Sequence, residues 1–232
     1  PIEIVVKDTD GVTIRVLDGG GSEGFHRVAW DLRTDAPKDV PRGQGALVPT
    51  GRYTAELGTA MGGQRASFTV VLDPRLAEDI GTAELGERFA FQNESNVLRE
   101  RLGGEVARAQ KLSDTIAKLE ALLEDPEDAA LREALKGFET ELAEARKAIG
   151  GGPRSFRNPN LLSRASRLFG ELSGDAVRQG TLHAPTATQR RRLAEIMTEA
   201  DKAIAALHAI VDEALPSLNE RLTARGPLRL GK

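Results

Sequence analysis

"RYTAELGTAMGGQRASFTVVLDPR", residues 52–75, is the stretch on which the fold turns. Its first part, "RYTAEL" (52–57), and its last, "ASFTVVL" (66–72), alternate apolar and polar residues with period two, as half-buried strands do. The short "GTAMGGQ" between them (58–64) reads as a hairpin loop. After "DPR" (73–75) the alternation stops and apolar residues recur every three or four positions to the end of the chain. The chain therefore divides into a strand-forming part, 1–75, and a helix-forming part, 76–232.

Working back from residue 52, the pattern stays that of strands. "IEIVV" (2–6) and "VTIRVL" (12–17) are joined by "KDTDG", whose Asp-Gly is a strong turn signal. In "EGFHRVAWDLRTDAP" (23–37) the alternation predicts a fifth strand, with Phe25, Arg27, Ala29 and Asp31 on one face and His26, Val28, Trp30 and Leu32 on the other. Residues 34–51, rich in Pro and Gly, read as a long irregular connection. Five short strands at this spacing predict a small β-sandwich, with Trp30 central in its core.

Working forward, four apolar stripes mark helices at about 82–124, 126–149, 159–174 and 186–224, predicted to form an antiparallel bundle. The stripes are Leu98 to Leu123, Leu131 to Ile149, Leu161 to Leu172 and Leu193 to Leu218. Asp125 before Pro126 and Asn158 before Pro159 read as helix N-caps, and Thr186 with Gln189 as a capping box. The pair Gly103-Gly104 is expected to kink or split the first helix, Pro216 to bend the last, and "GGGP" (150–153) to separate the second from the third.

Composition narrows the chemistry. The 232 residues carry a net charge of −3, and the charges balance on both sides of Arg75, so no broad basic surface for nucleic acid exists. With no cysteine, disulfides, thiolate catalysis and cysteine zinc sites are excluded. No run of about 18 apolar residues is present to span a membrane as a helix. The chain enters a strand pattern at once from Pro1, which reads as the product of a longer precursor whose secretory signal, if any, is out of view.

No reactive constellation emerges. His26 reads as a packing residue beside Trp30, His183 as a loop residue, and His208 as the margin of the last apolar stripe. No metal-binding His spacing and no nucleophile elbow occur, so the expectation is no catalytic residue, no metal and no cofactor. "DGGGSEG" (18–24) lacks the Lys-Ser/Thr of a phosphate loop and reads as a flexible turn. Glu105, Glu120, Glu124, Glu139 and Glu141 read as outward helix residues. In "QRRRLAE" (189–195), Arg190, Arg191 and Arg192 lie in the first turns of a helix, where the dipole disfavours cations. They read as a solvated face paired with glutamates or, more sharply, as the contact to an acidic partner or anionic lipid headgroups.

These segments also resemble a known family. "VVKDTDGVTIRVLDGGGSEGFHRVAWDLRTDAP" (5–37), "VPTGRYTAEL" (48–57) and "FTVVLDPR" (68–75) resemble the flagellar hook-assembly-type Ig-like module. That module is found near the C-termini of secreted bacterial proteins with sortilin-like, BNR-repeat β-propellers, often labelled glycosyl hydrolases. "HAPTATQRRRLAEI" (183–196) and "LPSLNERL" (215–222) are similar to the helical region that follows it. The resemblance implies an α+β chain of two domains: an Ig-like β-sandwich, 1–75, then an antiparallel four-helix bundle, 76–232. It implies structural roles for Trp30, Asp31 and Tyr53 in the strands and for Thr186 and Asn219 at the bundle's ends. It also implies export to the periplasm, cell surface or medium, and leaves any hydrolase activity to a propeller that this chain lacks. The expected function is a non-catalytic module docking on a larger protein assembly, membrane-embedded assemblies included. The alternatives are the accessory tail of a propeller hydrolase and a carbohydrate-binding module with Phe25 and Tyr53 as platforms.

Overall fold

The computed structural model describes residues 2–58, 63–123, 125–151, 158–173, 180–226 and 230–231. Most of the expected 58–64 hairpin loop, part of the 150–153 break and Glu124 lie outside the described residues. The chain forms a four-stranded antiparallel sheet followed by a four-helix bundle. The strands are β1 (Glu3–Lys7), β2 (Thr13–Asp18), β3 (Gly51–Gly58) and β4 (Gln64–Val70), in the order β2-β1-β3-β4. The helices are α1 (Thr82–Leu122), α2 (Ala129–Arg146), α3 (Leu161–Glu171) and α4 (Ala187–Arg225). By contact the chain falls into two compact units. One holds Pro1–Pro37, Pro41–Val97 and Leu168–Arg190; the other holds Lys38–Val40, Leu98–Arg167 and Arg191–Lys232.

In the first unit the Asp-Gly turn forms as its sequence predicts. Asp8 Oδ1 accepts from the amides of Asp10 and Val12 at 3.0 and 2.9 Å, and Gly11 supplies the left-handed φ of 80°. Register then sorts the side chains. Val6 pairs with Arg15 and Ala55, and Tyr53 pairs with Phe68. One face carries Val6, Leu17, Tyr53, Phe68 and Val70, packed under Trp30, Val48 and Phe89. The other is mostly polar around the Val5–Val16 pair: Glu56 pairs with Lys7 at 2.5 Å and Arg65 at 2.8 Å, and Thr54 meets Ser67 at 3.3 Å. An antiparallel sheet with one dry face needs this alternation.

The expected strand over residues 25–32 does not form. Only an isolated bridge, Arg33↔Leu47, follows it. Leu32 sits at φ 59°, which turns the chain sharply before Arg33. An alternating pattern also needs a neighbour to pair with, and among the described residues the main-chain bond to β2 comes only after the segment, from the Asp35 amide to the Ile14 carbonyl at 3.2 Å. Trp30 packs the core nonetheless. It stands edge-on to Tyr53 and Phe68 at 5.8 and 6.0 Å, and its indole donates to the Arg33 carbonyl at 2.8 Å. His26, expected beside Trp30, is exposed and its Nε2 lies 2.8 Å from the Ser22 carbonyl.

Most of each helical stripe is buried as its spacing predicts, although on α4 Met197, Val211 and Ala214 are only partly so and Ile196 and Leu215 are buried beside them. Leu131, Leu135, Phe138 and Leu142 line α2, and Leu193, Ala200, Ile204, Leu207 and Leu218 line α4. The Thr186–Gln189 box closes reciprocally. The Gln189 amide donates to Thr186 Oγ1 at 3.2 Å and the Thr186 amide to Gln189 Oε1 at 2.9 Å. The cap of α3 is Asn160, not Asn158: the Ser163 amide donates to Asn160 Oδ1 at 2.9 Å. Asp125 caps a 3-10 turn, Pro126–Asp128, without a side-chain bond, and α2 begins after it. α4 continues through Pro216.

α1 likewise runs unbroken through Gly103-Gly104, which were expected to kink or split it. Gly103 is explained by approach rather than flexibility. A Cβ there would lie 2.5 Å from the Asp39 carbonyl oxygen, whereas Gly104 faces open space. Gly104→Ala is expected to raise stability by about 1 kcal/mol through helix propensity. Gly103→Ala is expected to lose that gain and more, because main chain must move. Equal stabilisation by both in urea denaturation would contradict the assignment.

In the second unit Arg164 and Glu199 join α3 to α4, with Nη2 2.8 Å from Oε1. The Arg164 hydrogen bond holds the Glu199 carboxyl below the usual glutamate range. A depressed folded value means the stabilisation is full above the unfolded pKa and is lost as pH falls through the folded one. The pair is half exposed, so Glu199→Gln should cost about 0.5 kcal/mol near pH 7. That difference should shrink as pH falls through the folded pKa and vanish once the carboxyl is protonated in both states. Parallel stability curves for the two proteins from neutral to acid pH would refute the linkage.

Candidate functional site

Polar side chains on α1 and on the 33–46 segment organise the first unit. Arg33, 3 % exposed, donates from Nη1 to the Gly45 carbonyl at 3.2 Å and from Nη2 to the Ser173 carbonyl at 3.0 Å. Gln92, fully buried, donates to the Leu172 carbonyl at 3.0 Å, Arg88 to Thr181 at 3.1 Å, and Asn96 to Gln44 at 3.3 Å. Each satisfies a main-chain carbonyl that no ladder reaches, which is what a buried irregular segment requires. Arg33 also continues the short ladder in which the Thr34 amide meets the Ala46 carbonyl and the Val48 amide meets the Leu32 carbonyl, both at 2.9 Å.

Among the described residues this frame presents one exposed aromatic. Phe25 is wholly exposed, on a turn fixed by the His26–Ser22 contact and by the Gly20 amide on Asp18 Oδ1 at 2.9 Å. Downstream, Trp30 anchors the same segment in the core. Tyr53 is buried and its hydroxyl donates to the Pro49 carbonyl at 2.9 Å, so its ring is no platform. Burial holds the phenol's pKa above its ordinary value, with Asp8 adding to the effect.

Of the residues singled out from sequence, Trp30 and Tyr53 come together, and Asp31, next to Trp30 in the chain, is exposed. Asp31 Oδ1 accepts from the Arg33 amide at 3.2 Å and so shapes the turn after Trp30. Thr186 caps α4. Asn219 grips Leu230 by its main chain, donating to the carbonyl at 3.1 Å and accepting from the amide at 2.7 Å. The arginines are occupied: Arg190 pairs with Glu87 at 2.6 Å and Arg191 with Glu195 at 3.6 Å, and Arg192 also has a partner.

Residues that sequence reasoning missed cluster on α1. Glu105, expected to face outward, is 9 % exposed and lies 2.9 Å from His208 Nε2 and 3.1 Å from Arg108 Nη1. Its signal was spacing: 102, 105, 109 and 112 continue the stripe, and residue type hid the position. Arg99, on the same stripe, is buried, and desolvation lowers its guanidinium pKa to about 10. Among the described residues no group of three His, Asp or Glu is placed to hold a metal. No helix among them is long and apolar enough to cross a membrane. No family model, curated protein or solved structure matches the chain.

Proposed function

We propose that the chain is a non-catalytic interaction module that docks on a larger protein assembly outside the cytoplasm, with Phe25 as its anchor. The observation that carries this reading is a fully exposed aromatic ring on a turn held by its own hydrogen bonds. Such a knob binds at low ordering cost, and aromatic anchors dominate interface energies. The buried polar frame beneath it supports the same reading, because its side chains hold main chain in place. Arg190 and Arg191 would act at the rim, exchanging Glu87 and Glu195 for acidic groups of the partner.

An Ig-like ancestry for the sheet is part of the proposal. The Tyr53–Pro49 bond is of the kind that closes Greek-key sandwiches at a tyrosine corner, and the Leu32–Thr34 and Ala46–Val48 ladder would be the remnant of a second sheet. The resemblance to propeller-associated modules supports an exported location. A photo-crosslinking residue at position 25, with one at exposed Val97 as control, tests the anchor in native extracts. A protein product specific to position 25 is expected. Products identical at both positions, or crosslinks to glycan alone, would overturn the protein-docking reading, the latter in favour of carbohydrate binding.

A further inference from the structure

The second unit holds a groove of about 400 Å³ that the proposed docking surface does not use. Its size lies within the range of about 300–1,000 Å³ typical of small-molecule sites. Leu112, Leu142, Leu207 and Val211 make an apolar floor. Of these, Leu112, Leu142 and Leu207 are at most 7 % exposed.

The charges at the rim are sorted by depth. Glu105 points inward, its side chain 11 % exposed, and both its oxygens are engaged: Arg108 Nη1 lies 3.1 and 3.2 Å from them, and His208 Nε2 lies 2.9 Å from Oε2. The groups left toward solvent are Arg108, 61 % exposed, His208, 47 % exposed, and Lys111, against the single carboxylate of Asp212. Arg108 is matched by Glu105, so Lys111 is the cation that an entering ligand meets at the rim, above an apolar floor.

We propose that this groove binds a single-chain aliphatic carboxylate, its hydrocarbon on Leu112, Leu142, Leu207 and Val211 and its carboxylate at Lys111 and Arg108. Each half of the ligand has a counterpart in the site: the floor takes a hydrocarbon, and Lys111 gives the head group a charged donor. Glu105 then acts as a positioning residue that holds the Arg108 and His208 side chains at the mouth.

Calorimetric titration of the full chain with decanoate, below its micelle concentration, tests the proposal. Saturable one-to-one binding is expected, with the His208 ring resonances shifting in parallel. Butanoate should bind far more weakly. Lys111→Glu should weaken decanoate by about tenfold, the scale of one charged hydrogen bond, and Val211→Glu should abolish binding. Lys111 is exposed, so the first variant tests the head-group contact without touching the core. No saturable binding up to millimolar decanoate, equal binding of decyltrimethylammonium, or unchanged affinity in Lys111→Glu would each overturn the assignment.

Discussion

Arg33→Ala is expected to destabilise the first unit by about 3 kcal/mol, with Trp30 fluorescence reporting its unfolding. The guanidinium is 3 % exposed and donates to the carbonyls of Gly45 and Ser173. Its removal leaves both acceptors buried without these bonds, and hydrogen bonds to a charged donor are worth about 1.5–3 kcal/mol each. The void adds to the loss. Arg33→Lys should recover only part of it, since one ammonium cannot span two carbonyls as the planar fork does. The single tryptophan makes the reading local: its indole donates to the Arg33 carbonyl, so fluorescence follows this unit whatever the other does. A loss under about 1 kcal/mol, on the scale of a solvated surface contact, would mean that Arg33 does not organise the fold.

Gly45→Ala should be as damaging for the opposite reason. A Cβ at position 45 would lie 1.8 Å from the Thr34 carbonyl oxygen and 2.5 Å from its carbon. Those are main-chain atoms in the ladder to Ala46, so no side chain can swing aside. Overpacking of this kind costs about 1–3 kcal/mol or more, and here the shift also opens the Arg33–Gly45 bond. The two substitutions break one contact and should be non-additive, the double variant losing less than the sum of the singles. Full additivity in denaturation would separate the two residues and contradict the geometry.

What the sequence made legible followed from periodicity wherever residue type and position agreed. Leu131, Leu135, Phe138 and Leu142 lie four, three and four apart, and all are buried. The Asp8–Gly11 turn and the Thr186–Gln189 box were readable because short-range chemistry fixes them. The failures share a cause. Arg88, Gln92, Ser95, Arg99 and Glu105 occupy buried positions on α1 with polar side chains, so a search for apolar stripes passed over them. Ser95 bonds back to the Phe91 carbonyl, but the others have partners dozens of residues away, which no local pattern announces. Residues 25–32 erred the other way: the alternation was present, but pairing depends on a neighbouring strand, and Leu32 turned the chain aside. Phe25 therefore ended in solvent, where alternation had placed it on a strand face.

The central claim is that Phe25 is the anchor of a docking module. It is tested most directly by fractionating native extracts containing the wild-type chain or Phe25→Ala and following the size at which each elutes. Because Phe25 touches no core, the variant should keep its Trp30 fluorescence and its unfolding midpoint. The account predicts that the wild type co-elutes with a larger assembly and that Phe25→Ala moves to the size of the free chain, a loss of affinity of about tenfold or more for one aromatic anchor. Identical elution of the two proteins, whether both bound or both free, would contradict it.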